Sequence, residues 1–173
     1  MARLVGIPAA DFNMATATGD GNDFGRAALS DFKGKWLVLF FYPLDFTFVC
    51  PTEITAYSKA YDQFKAIGAE VLGVSVDSEH SHKAWINSSL GQLRFPLASD
   101  LTKKVSADYG VLIEEAGIAL RGLFIIDPQG VVRYSVVHDL SVGRSVSETL
   151  RVLKALQTGG LCPIDWEEGE NLL

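Results

Sequence analysis

Hydrophobic and polar positions divide the chain into segments of two periods. Residues 35–42, Lys-Trp-Leu-Val-Leu-Phe-Phe-Tyr, are an almost unbroken run of aromatic and branched side chains. Such a run suits a strand buried on both faces, and Pro43 ends it. Over residues 51–67 the period lengthens, and Ile54, Tyr57, Tyr61 and Phe64 fall on one helical stripe that Gly68 stops. Residues 71–76, Val-Leu-Gly-Val-Ser-Val, form a second buried strand. Strand, helix and strand in this order predict a βαβ unit, hence a parallel pair.

The flanking segments complete the plan. Residues 10–26 carry two short apolar stretches around the turn-rich cluster Thr18-Gly19-Asp20-Gly21-Asn22, which predicts a small antiparallel addition. Residues 80–88 predict a short helix with Trp85 and Ile86 as its apolar side, and residues 103–109 another. Residues 121–126 and 131–137 are strands joined by the turn Asp127-Pro128-Gln129-Gly130, hence a hairpin. Ser145 with Glu148 forms a capping box opening a last helix, whose stripe is Val146, Leu150, Leu153 and Leu156. A βαβ unit followed by a hairpin and a helix is thioredoxin-like topology. The expected fold is α/β: a central mixed β-sheet flanked by helices, with an N-terminal β-hairpin addition and a C-terminal tail. No repeat, low-complexity run or linker interrupts it, so residues 1–173 read as a single domain, with the tail from about residue 158.

Composition narrows the function. The 173 residues carry 15 basic and 21 acidic side chains, a net charge of −6. That balance offers no basic face for nucleic acid or anionic lipid. The longest apolar stretch, residues 36–42, falls far short of the ~20 residues that cross a bilayer. The first residues lack the apolar core of a signal peptide. A cytoplasmic protein with no membrane or nucleic-acid partner is expected. Only two cysteines are present, Cys50 and Cys162. In a reducing compartment so sparse a pair points to chemistry rather than to a structural bridge.

Cys50 stands between a buried strand and a helix start. Unpaired amides and the positive end of the helix dipole favour a thiolate at such a place. Pro51 suits the first helical turn. Thr47 lies three residues earlier, one turn away if that stretch is helical. Its hydroxyl then hydrogen-bonds the sulfur and a bound oxygen, or serves as a plain N-cap, two roles that are compatible. Pro43 either covers the sulfur from water or only terminates the strand. His80 and His82 are too close together for a metal site without further ligands and read as surface residues of a helix. Glu167-Glu168-Gly169-Glu170 reads as a solvated run. Cys50-Pro51-Thr52-Glu53 lacks the second cysteine of a dithiol motif, and no Gly-rich phosphate loop is present.

The run Pro43-Leu44-Asp45-Phe46-Thr47-Phe48-Val49-Cys50-Pro51-Thr52-Glu53 contains Pro-x-x-x-Thr-x-x-Cys. It resembles the active site of peroxiredoxins, specifically the typical two-cysteine branch that includes the peroxidase component of alkyl hydroperoxide reductase. Further stretches share the likeness: His82-Lys83-Ala84-Trp85, Pro96-Leu97-Ala98-Ser99-Asp100, Asp108-Tyr109-Gly110-Val111, residues 121–127 and Val142-Gly143-Arg144. The resemblance implies that Cys50 is the peroxidatic cysteine, with Pro43 and Thr47 lining its pocket. Arg121 resembles the arginine that pairs with thiolate and peroxide, and Glu53 either holds that arginine or only favours the helix dipole. Cys162, in Leu161-Cys162-Pro163-Ile164-Asp165-Trp166, resembles the resolving cysteine on a flexible Gly-rich tail.

The same resemblance implies a cycle. Hydrogen peroxide or an alkyl hydroperoxide oxidises Cys50 to a sulfenic acid. Cys162 of the opposite subunit condenses with it, and a dithiol reductant, thioredoxin or a dedicated flavoprotein disulfide reductase, restores both thiols. No metal, haem or flavin cofactor is expected in the chain. The implied unit is a homodimer, which in this branch can assemble into a ring of five dimers. Alternatives are a one-cysteine peroxidase resolved by an external thiol, and a holdase role of the oligomer. Two departures from the family stand out. The connection from the last helix to Cys162, residues 158–161, is short, and Ser88-Ser89-Leu90-Gly91 stands where sensitive relatives carry Gly-Gly-Leu-Gly.

Overall fold

The structure is a computed structural model that describes residues 3–173. Its strands are β1 (Asn13–Ala17), β2 (Phe24–Ala28), β3 (Trp36–Phe41), β4 (Ala69–Ser75), β5 (Leu97–Ser99), β6 (Leu112–Ile113), β7 (Ile118–Ala119), β8 (Arg121–Ile126) and β9 (Val132–His138). Its helices are α1 (Cys50–Lys59), α2 (Tyr61–Ala66), α3 (Glu79–Trp85), α4 (Lys104–Asp108) and α5 (Val146–Thr158). Seven strands form one sheet in the order β2-β1-β5-β4-β3-β8-β9, and β6 pairs with β7 as a separate ribbon. The β3–β4 and β4–β5 pairs are parallel. The others in the large sheet are antiparallel, so it is mixed as expected.

Strand alternation builds two cores from β3 alone. Val38 and Phe40 face one way, into a core with Ile54, Tyr57, Phe64, Trp85, Leu150 and Leu153. Leu37, Leu39 and Phe41 face the other, into a core with Met14, Val105, Tyr109, Phe124 and Ile126. Both faces are therefore covered, which explains why the sequence of β3 shows no polar alternation. The N-terminal addition is the β1–β2 hairpin, and β1 docks antiparallel on β5.

Several elements differ from expectation. The helix read over residues 51–67 is two pieces that break at Ala60; Phe64 still reaches the core, with its ring 6.0 Å from that of Tyr57. The helix read over residues 80–88 is α-helical only to Trp85 and continues as a π turn, Ile86–Leu90. Ser145 caps α5 by accepting from the Glu148 amide at 3.1 Å. The Glu148 carboxylate pairs with Arg151 instead of closing the box. Among the described residues no helix is long and apolar enough to cross a membrane.

Candidate active site

The central strand delivers the site. The Tyr42 amide extends the β3 pairing by donating to Val74 O at 2.9 Å. Pro43, which is buried, then turns the chain away. Residues 43–49 form a loop, and α1 begins at Cys50 with Pro51 in its first turn. Phe46 adopts φ 55°, a left-handed conformation that costs an aromatic residue about 1–3 kcal/mol unless its surroundings enforce it.

A buried polar cluster enforces it. Asp45 accepts from Tyr42 Oη (2.8 Å) and Ser81 Oγ (2.7 Å), and its amide donates to Asp77 Oδ2 (2.7 Å). His82 Nδ1 lies 2.7 Å from Asp45 Oδ2, and its Nε2 donates to Ala98 O at 3.1 Å. Burial first, then the charge of Asp45, pushes the Tyr42 phenol well above its ordinary range. His82 is wholly buried, contrary to the surface position expected from sequence; His80 is exposed. The reason is helical geometry. Residue 82 is three before Trp85 and four before Ile86, so it shares their inward face.

Cys50 has no accessible surface. Arg121, the first residue of β8, directs Nη1 to within 3.4 Å of Sγ. The same nitrogen donates to Glu53 Oε2 at 2.8 Å, and Nε donates to Leu140 O at 2.8 Å. Antiparallel pairing of β3 with β8 brings this guanidinium to the end of the sheet where β3 gives way to Cys50. Arg144, which sequence reasoning did not single out, completes the set. Its amide and Nε donate to Glu53 Oε1 (2.7 and 2.8 Å), and Nη2 donates to Oε2 (3.0 Å). Nη1 donates to Gly122 O, and the guanidinium lies 5.4 Å from the Phe40 ring centroid. Burial alone raises the Glu53 carboxyl, but the hydrogen bonds and charge of Arg144 with the charge of Arg121 outweigh it, holding the group below its usual 4.5. One carboxylate thus fixes two cations, and one of them stands beside the sulfur.

Thr47 is placed differently from either expected role. The stretch before Cys50 is not helical, and the cap position is Val49, with no side-chain cap bond. The Thr47 hydroxyl donates to Leu44 O at 3.0 Å, and no hydrogen bond to Sγ is formed.

Cys162 is brought to the opposite end of the molecule. It borders a groove shared with Trp36 and Asp127, at the starting edge of β3. Cys50 follows the finishing edge. Six residues of β3 span about 17 Å at roughly 3.3 Å per residue. A disulfide needs Cα atoms about 4.4–6.8 Å apart, so the two cysteines of one chain do not meet in this fold. The tail is also not free. Trp166 is buried, its carbonyl accepts from Arg151 Nη1 (2.9 Å), and Glu168 pairs with Lys154 (2.6 Å). The run of glutamates read as solvated is exposed but tied to α5 in this way.

A thioredoxin-like sheet with a lone cysteine at a helix start, flanked by an arginine held on a buried carboxylate, defines a thiol-based redox protein. Its family follows from comparison: the AhpC/TSA family model matches residues 5–135, and the chain belongs to that family, the peroxiredoxins. It is 62% identical over all of its length and all of the other's to "Putative peroxiredoxin in rubredoxin operon" of Clostridium pasteurianum. It is 54% identical to Peroxiredoxin-2 of Macaca fascicularis, over 98% of this chain and 89% of that one. The reduced 2-Cys peroxiredoxin of Plasmodium vivax superposes with a TM-score of 0.95 at 41% identity, covering 99% of this chain and 93% of the other. AhpC of Enterococcus faecalis gives 0.89 at 34% identity, covering 94% and 100%. Family and fold make peroxidase chemistry the activity of this chain.

Proposed function

We propose that the chain is a two-cysteine peroxidase whose peroxidatic residue is Cys50. Its thiolate attacks the terminal oxygen of hydrogen peroxide or an alkyl hydroperoxide. The O–O bond breaks, water or alcohol leaves, and Cys50 becomes a sulfenic acid. The observation that carries this reading is Arg121 Nη1 at 3.4 Å from a sulfur sealed from solvent. A cation fixed there stabilises the sulfur anion and the negative charge developing on the leaving oxygen, with little reorganisation. Glu53 and Arg144 hold that cation in place. Pro43 walls the pocket, and Thr47 turns its hydroxyl from Leu44 to a peroxide oxygen.

Cys162 of the partner subunit then condenses with the sulfenic acid. Support comes from the sheet edge. β9 is the edge strand of the sheet, antiparallel to β8, with Val132 at the Cys162 end and His138 at the Cys50 end; Gly6 and Ile7 bond to Val132, and beyond it no strand among the described residues covers the outer edge. Two-fold antiparallel pairing of β9 with its copy sets the Cys162 end of one subunit beside the Cys50 end of the other. The homodimer, and rings of five dimers built from it, follow this reading. A dithiol reductant of the cytoplasm, thioredoxin or a dedicated flavoprotein disulfide reductase, closes the cycle by exchange. Peroxide consumption with thioredoxin and its reductase tests the proposal: turnover is expected from the native chain and none from Cys50→Ser. Full turnover in Cys162→Ser would instead favour resolution by an external thiol.

A further inference from the structure

The phenol of Tyr42 takes no part in the proposed reaction of Cys50, and its setting is unlike that of the other tyrosines. It is wholly buried, and its Oη donates to Asp45 Oδ1 at 2.8 Å. The Tyr57 hydroxyl shares a hydrogen bond with Thr149 Oγ1 (2.9 Å), and that of Tyr109 donates to Ala10 O (2.9 Å), both neutral partners. Tyr61 does meet a carboxylate, Glu70 at 2.9 Å, but at the half-exposed surface, and Tyr134 is half-exposed as well. Only Tyr42 combines full burial with an anionic acceptor.

That combination governs one-electron chemistry. A phenol that loses an electron becomes a strong acid, and a cation left in the low-dielectric interior is costly. The electron leaves readily only when the proton can move at the same moment to a base already in contact. Asp45 is that base. Its other oxygen, Oδ2, accepts from Ser81 Oγ and lies 2.7 Å from His82 Nδ1, which fixes the carboxylate in place. Oxidation of Tyr42 therefore turns a buried carboxylate into a neutral carboxyl and the phenol into a neutral radical. Burial, which disfavours the charged form of a carboxyl group, favours that product.

A route leads in from the surface. The Trp85 ring centroid lies 6.1 Å from that of Tyr42. The Phe46 ring lies 5.8 Å from Trp85 and is 57% exposed. Trp85 itself is buried, so this ring stands between the indole and an oxidant outside. At neutral pH the tyrosyl couple lies below the tryptophanyl couple in potential. An electron thus passes from Tyr42 to an oxidised Trp85, not the reverse.

We propose that Trp85 and Tyr42 form a second redox site, which takes up small one-electron oxidants such as nitrogen dioxide and holds the oxidation as a radical on Tyr42. The oxidant takes one electron from the indole and leaves as its anion, nitrite. Tyr42 gives one electron to the indole radical cation, and its proton passes from Oη to Asp45 Oδ1. A one-electron donor of the ascorbate class restores the phenol, whose proton comes back from Asp45. Tyr42 and Cys50 share one core. Two-electron oxidants are met there by the thiol and one-electron oxidants by the phenol.

Pulse radiolysis tests this, with azidyl radicals as the oxidant. The full chain carries Cys50→Ser and Cys162→Ser, so that no thiol consumes the radicals and the outcome is independent of the peroxidase reading. A tyrosyl radical is expected to grow in as the indolyl radical fades, at a rate independent of protein concentration and slower in deuterium oxide. Its decay is expected to be independent of concentration too, because a buried radical cannot pair with one on another molecule. Radicals on Tyr61 and Tyr134 couple pairwise and decay faster as protein is added. Freeze-quench electron paramagnetic resonance identifies the surviving species. Tyr42→Phe, which removes only the hydroxyl, is expected to lose the long-lived component, and Tyr57→Phe to keep it. Trp85→Phe is expected to lower its yield several-fold, and carries the test if Tyr42→Phe does not fold. A long-lived radical that persists in Tyr42→Phe overturns the proposal. So does full yield in Trp85→Phe, or a parent chain in which every tyrosyl radical decays pairwise.

Discussion

Glu53 takes three hydrogen bonds from a single residue, Arg144, one from its backbone amide and two from its guanidinium. Because the amide is among them, the loop before α5 is tied to the first turn of α1 at the same point where Arg121 is tied. Removing the carboxylate leaves two buried cations without their counter-charge, which costs about 3 kcal/mol or more.

The acid stability of the protein follows from that pairing. The Glu53 carboxyl titrates below 4.5 in the folded state and near 4.5 when unfolded. A depressed carboxylate contributes stability above its unfolded value and loses it as pH falls through the folded one. Denaturation midpoints are expected to hold above about pH 5 and to drop steadily from pH 4.5 downward. Glu53→Gln should lower the plateau and flatten the acid limb. An equally steep limb in that variant would assign the acid sensitivity elsewhere.

Arg121→Ala is expected to fold and to react with hydrogen peroxide about 10²–10³-fold more slowly, the range for loss of one donor aimed at developing charge. Stopped-flow measurement of the second-order rate decides this. A rate within a factor of a few of the parent would remove Arg121 from the reaction.

His82→Ala is expected to destabilise the chain by about 3 kcal/mol, because Asp45 loses a partner whose side chain is sealed from solvent together with its own. Asp45 precedes the left-handed Phe46, so the loop ahead of Cys50 should loosen before the rest. Amide exchange over residues 43–50 should rise more than exchange in β4. A uniform rise would show that His82 supports only the core.

Peroxide treatment is expected to produce a covalent dimer on non-reducing gels, reversed by dithiothreitol and absent from Cys162→Ser. An oxidised monomer carrying an internal bridge would contradict the strand length that separates the two ends.

Sulfinic acid is expected to accumulate slowly, even at millimolar peroxide. By the family resemblance, sensitive relatives cover the active-site turn with a Gly-Gly-Leu-Gly loop packed together with a C-terminal Tyr-Phe helix; Ser88-Ser89-Leu90-Gly91 stands at the loop position here, so that turn should open readily. Prompt addition of two oxygens to Cys50 at low peroxide would reverse this expectation.

The legible parts of this molecule are those whose signal is local. β3 declares itself because both its faces are buried, and Cys50 because a proline-terminated strand meets a helix start. Arg144 is legible only as part of a matching tripeptide, since its partner lies 91 residues away in sequence. His82 needs its helical phase to be combined with that of Trp85. β5 spans three residues, and β6 and β7 two each, too short for any period to show. The break at Ala60 has no glycine or proline to mark it. The docked tail is invisible in the sequence because its glycines and glutamates suggest solvent, whereas one indole and one arginine decide otherwise.

The placement of Cys50 and Cys162 at opposite edges of one strand also makes the cycle depend on how much protein is present. In the proposed mechanism a lone protomer can start a turnover but cannot finish it. Below the dissociation constant of the dimer, each encounter with peroxide ends in a stranded sulfenic acid exposed to the next oxidant molecule. Dilution would then act as an inactivator, and association between subunits, rather than any residue at the active site, would protect the catalyst from its own substrate.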